Sequence, residues 1–451
     1  MRYYHLGFAL LLFSCSKKDQ PAPNPIPTGP VTQTEINKWI LDSMRYYYLW
    51  SEELPTQSNT DLETRAYFQS IKNAADPFSL VYNPGNFSTM PRYMLYNYGF
   101  NYSVVEWPSA PGGTIGVVTL VIPGSNAAKA GFVRGSYFTR INGMPLTAAN
   151  AASLADQVLK DGQGIFTPAT INNSAVIEAT PVTVLLGVTS ENPIYAQQII
   201  NSNNKKIAYL FYNAFKDDFN SALISAFQTF KAQGTTELIL DMRYNTGGSV
   251  AAAAVLTALI APGVTSNQLF IQYKGNKTQG TQQLSFNTAM AYPESGAPIP
   301  FNSVQPAMLG LSRVFILTSH ETISAAELTI NNLKPYTKVV QIGATTYGKD
   351  KGAINIQDGR GRISWILHPI SWRLYNAKGE GGYEQGIAPQ YTADEIDTLP
   401  IAAIGDTQDP LIAKALSLIN GNSRTIMAAN HMPLKKYYVT EGKSDAVILP
   451  H

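Results

Sequence analysis

Three short stretches hold the residue types from which hydrolytic chemistry could be assembled. Asp241-Met-Arg-Tyr-Asn-Thr-Gly-Gly248 follows the apolar run Leu238-Ile-Leu240. Thr322-Ile-Ser-Ala-Ala-Glu-Leu328 follows Val314-Phe-Ile-Leu317, and Gly343-Ala-Thr-Thr-Tyr-Gly-Lys349 begins where Val339-Val-Gln-Ile342 ends. In the middle stretch Ser324 stands where a strand turns into a helix through Ala325, Ala326, Leu328 and Leu333. The commonest use of serine at a helix start is an N-cap. The same place faces unpaired N–H groups and the positive end of the helix dipole, which favour a developing oxyanion. A serine hydroxyl needs a base, and Lys349 stands 25 positions on. A lysine serves only when neutral, so its pKa must fall from about 10.4 toward 7 or 8. Burial in an apolar pocket lowers it, because desolvation disfavours the ammonium form. Asp350 next door opposes that shift, and Lys351 is a rival base.

Other chemistries find less support. The five histidines (His5, His320, His368, His431, His451) form no metal spacing, and no H-E-x-x-H occurs, so no metal is expected. No G-x-S-x-G elbow and no phosphate loop appears, and no cofactor is expected. A Ser–His arrangement stays open, through His320, four residues before Ser324, or through His368.

In order and approximate spacing the three stretches resemble the C-terminal processing (tail-specific) serine peptidases, whose patterns D-x-R-x-N-x-G-G, T-x-S-A-x-E and G-x-x-T-x-G-K they match. The likeness runs from about residue 35 to about residue 420. It implies Ser324 as nucleophile and Lys349 as base. The oxyanion hole would use the N–H of Ala325 and one from the Gly247-Gly248 turn. Arg243 and Asn245 would scaffold that turn, with Glu327 in support behind the site. In many members a glutamine four residues after the lysine orients it; here that position is Ala353, with Gln357 as a substitute. The alternative is a catalytically inactive binding lipoprotein of the same fold. Retention of both Ser324 and Lys349 favours the enzyme, acting on protein or peptide substrates.

The elements that must hold these residues follow from pattern. A chain of 451 residues is too long for one core. From 191 to 421 strands alternate with helices, which argues an α/β layer fold; the resemblance implies a crotonase-like or ClpP-like peptidase core. Strand 206–212 is followed by a helix capped by Asp217 or Asp218, with Phe219, Leu223, Ala226, Phe227 and Phe230 on one face. Residues 93–190 change to short strands, with Asn142-Gly143 as a hairpin signal. Pro123-Gly-Ser-Asn-Ala-Ala-Lys-Ala-Gly-Phe132 and the Ile-Asn-Gly ending at Gly143 resemble a bacterial PDZ domain. Such a domain captures a chain end by strand addition. Tyr98-Gly99-Phe100 would be its carboxylate loop, with polar Asn101 as a departure. Residues 31–92 read as a small helical domain whose first helix is capped by Thr34 and buries Ile36, Trp39, Ile40, Met44 and Tyr47. The whole is an α/β multidomain chain: N-terminal helical, PDZ-like and β-rich, then peptidase core, with 422–451 as a C-terminal tail.

Net charge is +2 with no basic run longer than two residues in the body, which argues against a nucleic-acid partner. The single cysteine, Cys15, ends the apolar run Leu6 to Ser14. About nine apolar residues make a signal h-region and fall short of the roughly 20 that span a bilayer. Leu12-Phe-Ser-Cys15 resembles the bacterial lipobox, and Pro21 to Pro27 reads as an extended tether. The expectation is a signal peptide over 1–14, a lipidated Cys15 opening a tether over 15–30, and a lipid-anchored protein of the bacterial cell envelope, on its periplasmic or outer-membrane face. One cysteine allows no disulfide within the monomer, so burial alone must hold the fold.

Overall fold

Strand Arg313–Thr318, which leads to Ser324, lies inside a six-stranded sheet. The computed structural model describes residues 29–91, 94, 99–189, 191–421, 434–440 and 448–449. The expected signal peptide, Cys15 and most of the tether lie outside them, as does Tyr98. Across the sheet the order is Tyr391–Thr392, Lys338–Gly343, Arg313–Thr318, Glu237–Asp241, Lys205–Tyr212, Ile194–Ser202. All neighbours are parallel except the last pair. Alternation decides what each face buries. Ala208, Leu210, Leu238, Leu240, Val314 and Ile316 point into a core shared with helices Asn220–Ala232, Val250–Ile260 and Ala325–Leu333. Ile207, Tyr209, Phe211, Ile239, Phe315 and Leu317 point the other way, onto helix Pro410–Ile419. Asp217 does not cap its helix. It sits in a single 3₁₀ turn, Asp217–Phe219, and accepts from Ser249 Oγ at 2.8 Å, so the helix starts at Asn220.

A second sheet, beyond what the sequence pattern indicated, runs Thr281–Ser285, Leu269–Lys274, Ile370–Tyr375, Lys351–Ile354, Ile448–Leu449. Its strand Lys351–Ile354 begins two residues after Lys349 and so fixes where that lysine stands.

The N-terminal helices Gln33–Tyr47 and Thr64–Ile71 do not make a core of their own, as the reading of 31–92 had them. Ile40, Met44, Tyr67 and Phe68 enter the same core as the helix after Ser324. Two short helices bury too little surface to be stable alone, so their apolar faces complete a larger core. The first is capped by Thr32, whose side chain accepts from the Glu35 N–H, while Thr34 bonds Asp61. Strand Leu80–Tyr82 pairs antiparallel with Ile366–His368.

The β-rich region has its own aromatic core, in which Phe100, Phe132, Phe138 and Phe166 pack ring against ring. Asn142 and Gly143 both take positive φ (51° and 77°) and turn Tyr137–Ile141 back onto Met144–Pro145, as the Asn-Gly pair indicated. Residues beyond 421 are more than a tail. Lys436–Val439 is the outermost strand of this sheet, antiparallel to Phe100–Glu106, and Ile448–Leu449 pairs parallel with Lys351–Ile354. Both segments had no partner in sequence terms, because an edge strand is defined by the edge that it finds.

Candidate active site

Ser324 has φ 58° and ψ −115°, a conformation that a residue with a Cβ rarely adopts. Such strain costs on the order of 1–3 kcal/mol and persists only where the surroundings fix it. Here they do. The Ile323 N–H donates to Asn245 O at 2.9 Å, Thr322 Oγ1 donates to Met242 O at 2.9 Å, and the Tyr347 N–H donates to Thr322 O at 3.1 Å. Ser324 Oγ is buried at this turn and has no hydrogen-bond partner, not even a helix N–H. The serine is therefore not an ordinary N-cap.

Glu327 joins the two halves of the site. Its Oε2 accepts from the Ser324 N–H at 2.9 Å and from the Lys349 N–H at 2.8 Å. Its Oε1 accepts from Thr346 Oγ1 and the Gly348 N–H, both at 2.6 Å. One buried carboxylate thus ties the backbone of the serine turn to the backbone of the lysine loop. Burial pushes its pKa up, and the four donors oppose that rise. Gly348 is needed because its φ is +106° and a Cβ would lie 2.3 Å from Glu384 O.

Lys349 is buried, with Nζ 5.2 Å from the centre of the Phe78 ring. Phe78 comes from the N-terminal segment, which Asp76 holds by accepting from the Phe78 and Ser79 N–H groups at 2.9 and 3.0 Å. The feared influence of Asp350 is turned elsewhere: its carboxylate takes Lys351 Nζ at 2.6 Å, and Glu384 takes the same nitrogen at 3.0 Å. Lys351, ion-paired twice, is a poor rival base. Gln357 is exposed and does not stand in for the missing glutamine, whereas Ala353 is buried against Ile370.

The turn Asn245 to Gly248 packs on the serine. Gly247 has φ +105°, and a Cβ there would lie 2.8 Å from Ser324 Cβ and 2.9 Å from Ala325 N. Its own N–H donates to Asn245 Oδ1 at 2.9 Å, which takes Gly247 out of the expected set of oxyanion donors. Among the described residues the N–H groups of Gly248 and Ala325 have no acceptor. Asn245 also donates from Nδ2 to Tyr212 O at 2.8 Å. Arg243, wholly buried, donates to Asp241 at 2.8 Å and Asp409 at 2.7 Å and so fastens the turn to the cap of helix Pro410–Ile419.

The histidines fit a base poorly. His320 is exposed, 5.3 Å ring to ring from Tyr347. His368 is buried with no partner at Nε2, and burial together with the nearby charge of Lys349 pushes its pKa down to about 4. Of the proposed carboxylate loop, Gly99 O accepts from the Ile122 N–H at 2.8 Å, and the Phe100 side chain belongs to the aromatic core. Two contacts escaped sequence reasoning. Phe78 is one. The other is Asn101 Nδ2, which donates at 2.7 Å to buried Glu321, three residues before the serine and 220 away from Asn101. Separations this large leave no local signal.

The model of peptidase family S41 matches residues 206–393, and that of the peptidase S41 N-terminal domain matches residues 35–89. Carboxyl-terminal-processing peptidase 1, chloroplastic, of Arabidopsis thaliana is 21% identical over 380 residues, covering 82% of this chain and 71% of that protein. A carboxyl-terminal-processing protease of Picosynechococcus is 23% identical over 246 residues, covering 54% of this chain and 53% of that one. A Bacteroides fragilis protein of known structure, assigned as an S41 protease, superposes with a TM-score of 0.67 at 27% identity, covering 88% of this chain and 99% of that chain.

Proposed function

The chain belongs to peptidase family S41, and from that premise we propose that it is a serine endopeptidase in which Ser324 is the nucleophile and Lys349 its base. The observation that carries the reading is Glu327, whose single carboxylate holds the backbone of both residues. Ser324 Oγ attacks the scissile carbonyl carbon, and its proton passes to neutral Lys349 Nζ. The carbonyl oxygen becomes an oxyanion against the Gly248 and Ala325 N–H groups. Lys349 then gives the proton to the leaving amine, and an acyl-serine remains. Water, deprotonated by the same lysine, hydrolyses it. Lys349 is buried with the Phe78 ring 5.2 Å from Nζ, and burial of a lysine favours the neutral form that the base needs.

In this reading the β-rich region 93–190 is a PDZ domain that recruits substrate by strand addition to Phe100–Glu106, and Cys15 carries a lipid that holds the protein in the cell envelope. The test is direct. Ser324→Ala and Lys349→Ala should each lower kcat/KM on an unfolded protein substrate by several orders of magnitude, with the double variant little worse, because the residues act as one unit. Loss on His368→Ala with Lys349→Ala tolerated would move the assignment to a Ser–His mechanism. No proteolysis by the wild type would favour an inactive binding protein.

A further inference from the structure

We propose that the segment after the last helix is a built-in occupant of the substrate path, with residues 434–440 filling the peptide groove and 448–449 closing the strand edge beside Lys349. The inference rests on the groove reading given above and deepens it. Lys436–Val439 lies antiparallel to Phe100–Glu106, with Val439 opposite Ser103, Tyr438 opposite Val104 and Lys436 opposite Val105. The Glu106 N–H donates to Lys435 O at 2.9 Å. The Thr440 N–H donates to Tyr102 O at 2.9 Å, and the Thr440 hydroxyl accepts from the Tyr102 N–H at 2.9 Å. On its other side the segment meets helix Ala151–Asp161. A strand seated between a sheet edge and a helix is the arrangement that strand-addition domains give their ligands.

The polarity is also that of a ligand. The segment runs toward Gly99, and Thr440 is level with Tyr102, three residues short of it. The chain does not end there, and Ile448–Leu449 pairs with Ala353 and Ile354 in the strand that follows Lys349. An extended substrate crossing the serine and the lysine would need such an edge for its own backbone. One segment therefore takes both stations. The serine and lysine themselves are closed off, with 0% and 1% of their surface exposed.

Two side chains define what the groove accepts. The Tyr438 ring lies 5.3 Å from that of Tyr102 and packs on the aromatic core, and the Thr440 hydroxyl bonds the Tyr102 backbone. The matching ligand class is an extended peptide with an aromatic residue and, two positions on, a hydroxyl residue. Because an internal segment satisfies the groove, a free carboxylate is not required. A tethered occupant competes at an effective concentration in the millimolar range, and a free peptide sees only the fraction of molecules whose groove is open.

The test compares the full chain, the full chain carrying Thr440→Pro, and a chain ending at residue 421. The proline removes the N–H and the hydroxyl that bond Tyr102 and touches no catalytic residue. The probe is a fluorescent peptide of residues 434–440, Leu-Lys-Lys-Tyr-Tyr-Val-Thr. Both altered chains should bind it at least ~10-fold more tightly than the full wild type, and its Tyr438→Ala version weakly. Proteolysis of an unfolded protein should rise in parallel. Equal peptide affinity and equal rates in all three chains would overturn the self-occupancy. If the shorter chain does not fold, Thr440→Pro decides. Tighter peptide binding without proteolysis by any form would keep the occupancy and reject the peptidase reading. Unchanged binding beside active proteolysis would do the reverse.

Discussion

Replacing Glu327 by glutamine tests whether one carboxylate sets the geometry of the catalytic pair. Glu327 accepts four hydrogen bonds, from Ser324 N, Lys349 N, Gly348 N and Thr346 Oγ1, at 2.9, 2.8, 2.6 and 2.6 Å. An amide offers one oxygen with two lone pairs, so at most two of those donors keep a partner, and the amide NH₂ group faces the others. Two orphaned buried donors cost about 1–3 kcal/mol each, about 2–6 kcal/mol together, offset in part because a buried charge is relieved. The strained Ser324 turn loses one of its clamps. A shift of about 1 Å between nucleophile and base lowers kcat by about 100-fold, with KM little changed. The pH profile separates this from general loosening of the fold. Burial raises the Glu327 pKa, so the folded protein takes up this proton at higher pH than the unfolded chain does. The group's stability contribution is full below its unfolded pKa and is lost as pH rises through the folded value. The geometry, by contrast, needs the ionised form. On acidification wild-type kcat should therefore fall at a pH above the ordinary glutamate range, while this group's contribution to stability rises. Glu327→Gln should abolish that acid limb. Steady-state kinetics from pH 4 to 8, with melting followed by circular dichroism, reads both. A Glu327→Gln enzyme with kcat within about threefold of wild type and the acid limb intact would refute the reasoning.

His368, pushed down to about 4, stays neutral through pH 5–8, so kcat/KM should show no inflection near 6.5 that His368→Gln removes. Its depressed pKa contributes stability present above about 6.5 and lost as pH falls through about 4, on the order of 3 kcal/mol, and His368→Gln should flatten that part of the melting profile. Gly247→Ala puts a Cβ 2.8 Å from Ser324 Cβ at a φ of +105°, and should lower kcat by ~100-fold or more while peptide binding to the β-rich region is kept; an active Gly247→Ala enzyme would disprove the close approach. Cys15→Ser should move the protein from the membrane to the soluble fraction, and a variant that still sediments with membranes would end the anchor reading.

How much of this was legible in the chain depends on how local the physics is. The strand-to-helix step at Ser324, the Asn-Gly hairpin and the apolar strands of the core declare themselves within about ten residues, since periodicity and φ preferences are local. The three stretches also gave the participants, and Thr346, Gly348 and Glu327 were among their letters. Their task was not given. That one carboxylate holds four donors from two segments follows only when the strands on either side are laid down. The same holds for Asp350, whose charge is met by Lys351, and for Gly247, whose N–H is taken by Asn245. The helices of 31–92 looked like a domain because amphipathic pattern shows that a face is apolar, not what covers it. Phe78 over Lys349, Asn101 on Glu321 and the strands Lys436–Val439 and Ile448–Leu449 were beyond sequence reasoning for one reason. A backbone edge or a buried carboxylate accepts any chain that reaches it, and which one does is decided by the packing of the whole.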